Sequence, residues 1–172
     1  FNIQSSIDQT LGLDIRFYDI NGQYMPNNII HIDSISLNAS KIINYQKEFS
    51  LDFDKLKGVS KIALFLFTPG TDDLGTVLIN NYSAVLEYTN EKSNQIPELI
   101  EGQPIPDTED TVITTTKYLG QRWLKMTSTG NTQYRGLRFM IYNPDKILAM
   151  ANYPVKINFN IQSSIDQTLG LD

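Results

Sequence analysis

The sequence predicts an all-β protein: an antiparallel β-sandwich, Ig-like or jelly-roll, completed by a terminal strand that the chain carries in two copies. Three observations predict it. Apolar and polar residues alternate with a period of two in short segments spaced about ten residues apart, the pattern of half-buried strands in a sandwich. Gly, Pro, Asn and Asp punctuate these segments, and no long amphipathic helix pattern interrupts them. Third, FNIQSSIDQTLGLD occupies residues 1–14 and returns letter for letter at residues 159–172.

The elements follow in order. Residues 14–20 alternate and run into Asn21-Gly22, the dipeptide of a two-residue type I′ hairpin. Residues 28–37 are rich in Ile and end at a turn over 38–41. Phe49, Leu51 and Phe53 alternate with Ser50, Asp52 and Asp54 as a one-sided strand. A turn at 55–58 leads into the continuous apolar run 62–67, which fits a strand covered on both faces and stops at Pro69-Gly70. Residues 75–79 and 84–88 read as two further strands. Residues 89–110 carry Pro97, Pro104 and Pro106 with several acids and few large apolar side chains, a long loop suited to contacting a partner. Strands resume at 111–117, 121–126 and 134–142, with a hairpin tip at Gly130-Asn131. Asn143-Pro144-Asp145-Lys146 reads as a turn, its alternative being the start of a short capped helix. Residues 154–162 close the series: Val155, Ile157, Phe159 and Ile161 share one face, and Lys156, Asn158, Asn160 and Gln162 the other.

The repeat organises the chain. Its copies begin 158 residues apart, too similar for chance. An engineered duplication is one origin, and a window of one period cut from a tandem array is the other. The expected layout is a duplicated donor-type segment at 1–14, a sandwich domain at 11–164 and the second copy at 159–172. The first copy starts in the middle of the 154–162 strand and keeps only Phe1 and Ile3 of its four apolar residues. Burying four such side chains is worth roughly 6–12 kcal/mol, against a total stability of about 5–15 kcal/mol for a domain. A domain lacking this strand exposes an apolar groove and an open sheet edge. Strand addition from a neighbour would cover both, and a contact of that kind does not close, so it builds fibres. Phe1, Ile3, Val155, Ile157, Phe159 and Ile161 are the strand-complementation candidates.

Composition narrows the chemistry. The chain has 172 residues, a net charge of −5, no Cys and one His. Thiol nucleophiles, disulfide scaffolds and Cys-rich zinc sites are excluded. The acidic balance offers no footprint for nucleic acid, and no apolar run reaches the length of a membrane helix. The start at Phe1, with neither an initiator Met nor a signal segment, reads as a mature product or an excerpt. His31 and Asp33, two apart on one strand, form a His–Asp pair or a solvated polar pair. No nucleophile elbow, phosphate loop or dinucleotide fingerprint is present, so the chain reads as a non-enzyme without a cofactor. Calcium is a weaker candidate, at Asp72 and Asp73 in one turn and at Asp107 and Asp110, with Glu109, in the long loop. Sequons stand at Asn38-Ala39-Ser40 and Asn81-Tyr82-Ser83.

Sugar binding is the main rival to assembly. Tyr118, Trp123 and Tyr134 lie near one another in sequence, and exposed rings on a sandwich face can stack on pyranose rings; the competing reading is core packing. Residues 49–79 are similar to strand pairs of jelly-roll carbohydrate-binding modules, a resemblance confined to that stretch and without a diagnostic motif. The expected function is a structural subunit of an extracellular filament, stalk or tandem-repeat surface protein. Its partners are identical or homologous subunits joined head-to-tail by strand complementation. The alternatives are a carbohydrate-binding module with an engineered duplication, whose partner is a glycan, and a phage or virion fibre component at the virion surface.

Overall fold

Alternation decides the first strand. In β1 (Gln9–Tyr18) Leu11, Leu13, Ile15 and Phe17 are fully buried, while Asp14 and Arg16 face outward. The computed structural model describes residues 9–38, 41–68, 76–87, 98–128, 132 and 134–163. The other strands are β2 (Ile30–Leu37), β3 (Ile42–Phe49), β4 (Lys61–Thr68), β5 (Thr76–Leu86), β6 (Ile105–Pro106), β7 (Thr111–Tyr118), β8 (Gln121–Ser128), β9 (Arg135–Ile141) and β10 (Val155–Ser163). They form two five-stranded antiparallel sheets, in the orders β2-β1-β4-β9-β6 (sheet 1) and β3-β10-β5-β8-β7 (sheet 2). The core lies between them, with Leu13, Ile15 and Leu66 of sheet 1 facing Ile79, Ile157 and Phe159 of sheet 2. The architecture is an all-β sandwich.

β4 is covered on both faces, as its unbroken apolar run requires. Ile62, Leu64 and Leu66 point into the core. On the outer face the Arg16 guanidinium lies 3.5 Å from the centre of the Phe65 ring, Phe65 stacks on Phe67 at 4.7 Å, and Tyr134 meets Phe67 edge-on at 5.7 Å. Gly12 and Gly136 stand beside Phe67, where a Cβ at either would collide with it.

Several elements differ from the sequence expectation. The expected strand over Phe49, Leu51 and Phe53 does not form: the strand here, β3, precedes it and ends at Phe49. Asp52 then accepts the Asp54 amide at 3.0 Å and caps a 3₁₀ turn (Phe53–Leu56), which leaves Phe53 exposed. The two strands expected at 75–79 and 84–88 are one strand, β5. Asn81 and Tyr82 together oppose Phe159 in a bulge with Asn81 at φ 50°. The extra residue keeps Ala84 and Leu86 buried and sets Tyr82 against Phe139, ring centres 4.9 Å apart.

Asn143 starts a helix rather than a turn: α1 (Pro144–Ala149) has Pro144 in its first turn and the Asn143 side chain accepting the Asp145 and Lys146 amides. The Asn21-Gly22 turn is not type I′, because only Gly22 has a positive φ. Its amide bonds to Asp19 O, a type I turn followed by a left-handed glycine. The two-residue type I′ geometry instead joins β7 to β8, through Leu119 at φ 48° and Gly120 at φ 77°. The expected loop at 89–110 contributes the buried Leu99, whose amide bonds to Ala84 O at 2.7 Å, and β6, which pairs with β9. The Gly130-Asn131 tip lies outside the described residues.

Candidate functional site

The strand that the repeat singles out sits inside sheet 2. β10 pairs with β3 on one side and β5 on the other, and Val155, Ile157, Phe159 and Ile161 all face the core. Phe159 stacks on Tyr45 of β3 at 4.8 Å. Phe1 and Ile3 lie outside the described residues. The two copies of the repeat reach the fold by different halves: FNIQS at 159–163 ends β10 in sheet 2, whereas QTLGLD at 9–14 begins β1 in sheet 1. β1 is also an interior strand, between β2 and β4.

These two strand ends share one pole of the sandwich. Gln9 pairs with Leu37, the last residue of β2, and Gln162 pairs with Ile42, the first of β3. Between those partners the Lys41 amide bonds to Asn38 O at 3.2 Å, so β2 and β3 meet at a tight corner. Across the sandwich β10 approaches β2 to within 8 Å between Cα atoms.

The outward face of β10 carries a carboxamide network. Gln46 Nε2 donates to Asn158 Oδ1 at 2.8 Å, and Asn158 Nδ2 to Ser83 Oγ at 3.4 Å. Asn160 Nδ2 donates to Asn80 Oδ1 at 2.9 Å, and Asn80 Nδ2 to Gln121 Oε1 at 2.8 Å. Asn44, Gln46, Asn81, Asn158 and Asn160 line an open depression of about 590 Å³ on this face. The polar alternation of Asn158, Asn160 and Gln162 was the sequence signal for it; the partners on β3, β5 and β8 were not foreseeable without the pairing.

Of the expected aromatic patch, Tyr118 and Trp123 pack together and Tyr134 lies apart. Trp123 is 2% exposed, and its Nε1 donates to Tyr118 O at 3.0 Å while the Tyr118 ring packs edge-on at 5.9 Å. Tyr118 sits at the β7–β8 hairpin tip. Tyr134 precedes β9, whose Arg135 reaches Ser128 at the opposite end of β8, and it packs on sheet 1. Burial of the indole removes Trp123 as a stacking platform.

His31 and Asp33 do not share a face. Leu13 pairs with Asp33 but Asp14 pairs with His31, so Ile32 is an extra residue that turns the strand over. His31 Nδ1 lies 2.8 Å from Asp14 Oδ1 and Nε2 lies 3.2 Å from Ser34 Oγ. This row has the order of an acyl-transfer triad, yet the His31 side chain is 56% exposed, without the walled, water-excluding site that activates a hydroxyl. Asp33 turns toward sheet 2, where it accepts from Lys47 Nζ at 3.1 Å and Tyr45 OH at 3.2 Å. Burial pushes its carboxyl up, but the bonds from Lys47, the Ser34 amide and Tyr45 outweigh this and hold it below the usual carboxylate range. The Tyr45 phenol is pushed well up, by burial first and then by the Asp33 charge.

The acidic candidates are dispersed. Asp107 sits between two guanidiniums, 3.2 Å from Arg16 Nη1 and 3.1 Å from Arg138 Nε, an environment that opposes a bound cation. Asp110 accepts from the Thr132 amide and hydroxyl. Asp72 and Asp73 lie outside the described residues. Among the described residues no three His, Cys, Asp or Glu side chains converge as a metal site. Comparison with protein-family models, curated proteins and solved structures finds no match for this chain.

Proposed function

We propose that this chain is a structural repeat unit, one period of an array of β-sandwiches joined through the fourteen-residue segment, at an extracellular or virion surface. One observation carries the reading. The identical segment begins inside β10 and ends inside β1, and those strand ends lie at one pole. A segment that spans the end of one unit and the start of the next is what a tandem array with a 158-residue period contains. Successive strands from β2 to β5 alternate between the two sheets, which favours jelly-roll over Ig-like connectivity for the unit. Because β10 ends and β1 begins at the same pole, consecutive units meet pole to pole and project from a common axis.

The test is a chain of two full periods, residues 9–166 followed by 9–172. Small-angle scattering should report two sandwiches with a fixed spacing, and limited proteolysis should spare the junction. Two domains tumbling independently about a readily cut junction would reject the array reading.

A second reading has its own observation. The carboxamides of Asn44, Gln46, Asn158 and Asn160 around the depression on sheet 2 are suited to bonding sugar hydroxyls. Glycan-array binding lost in Asn158→Ala/Asn160→Ala would support it, whereas no binding by the parent chain would remove it. Trp123→Ala is not a useful probe, since it would report packing.

A further inference from the structure

We infer that the place in sheet 1 held by Gln9–Asp14 is a shared seat, which Gln167–Asp172, the segment following β10, also occupies. The inference rests on the array reading and specifies how units in it are joined. The seat is selective. It needs a buried leucine at each of the places held by Leu11 and Leu13, and between them a residue without a Cβ, because Phe67 lies against Gly12. It then needs a carboxylate two places further on, where Asp14 meets His31 at 2.8 Å. Leu169, Gly170, Leu171 and Asp172 repeat that order residue for residue.

The reach is short enough. Four Cα steps separate Ser163 from Gln167, a span of up to about 14 Å, and packed sheets lie about 10 Å apart. β10 and β1 are each second in their sheets, flanked by β3 and β2, which meet at the same corner. Chain leaving β10 can therefore cross at that pole to the β1 seat of its own unit. In a run of copies, the β1 of each copy then completes the sheet of the copy before it.

The experiment uses the full chain and three variants. A charged residue in the place of a fully buried leucine cannot be seated. Leu13→Asp should keep a cooperative thermal transition within a few degrees of the parent, because Leu171 takes over. Leu171→Asp alone should be silent, since Leu13 is then in place. The double variant should lose the transition or shift it down by tens of degrees. If Leu13→Asp is as damaged as the double variant, or the double variant is as stable as the parent, the seat is not shared. The array reading survives that result, since it requires only that the copies be joined in one chain, and the two-period chain tests it separately.

Discussion

At the scale of single residues, burial and hydrogen-bond partners decide roles that residue type only suggests. Trp123 looks like a ligand platform until its indole is found enclosed and its N–H bonded to Tyr118 O. Asp33 looks like a histidine partner until the bulge at Ile32 sends it to Lys47 and Tyr45. That relocation has a pH consequence. A carboxyl whose folded-state pKa is depressed contributes stability that is fully present above its unfolded value, near 4, and is lost as the pH falls through the lower folded value. Asp33→Asn should therefore lower the thermal midpoint at pH 7 and leave it unchanged relative to the parent near pH 2. Equal losses at both pH values would show that the carboxylate charge contributes nothing.

At the scale of elements, side-chain caps and bulges set boundaries that alternation alone misplaces. Asn143 holds two amides of α1, which seats the buried Ile147 and Met150 beside the core. Asn143→Ala should destabilise the fold by about 1 kcal/mol, read as a lower denaturation midpoint with an unchanged slope, and Asn143→Ser should restore most of it. A neutral Asn143→Ala would mean that packing of Ile147 alone holds the helix. The bulge in β5 has the same logic. The polar stretch from Asn80 to Ser83 breaks the alternation in sequence, yet the ladder tolerates it by giving Phe159 two partners. Without that extra residue, Ala84 and Leu86 would face solvent.

At the scale of the whole molecule, the proposed array depends on where the strand ends lie. The described part of each copy, residues 9–14 and residues 159–163, belongs to an interior strand. In the proposed array, strand exchange at a common pole would join units without a new interface, since the seat already exists in each one.

By itself the sequence determined the sandwich class, many of the strand positions, the core face of β10, and the repeat, because period-two alternation and residue identity are local properties of one strand. Only the tertiary structure decided that His31 faces Asp14, that Asp107 lies between Arg16 and Arg138, and that the two copies enter different sheets at one pole. Register, bulges and sheet order are relations between strands far apart in the chain, and they arise only when two ladders are hydrogen-bonded together.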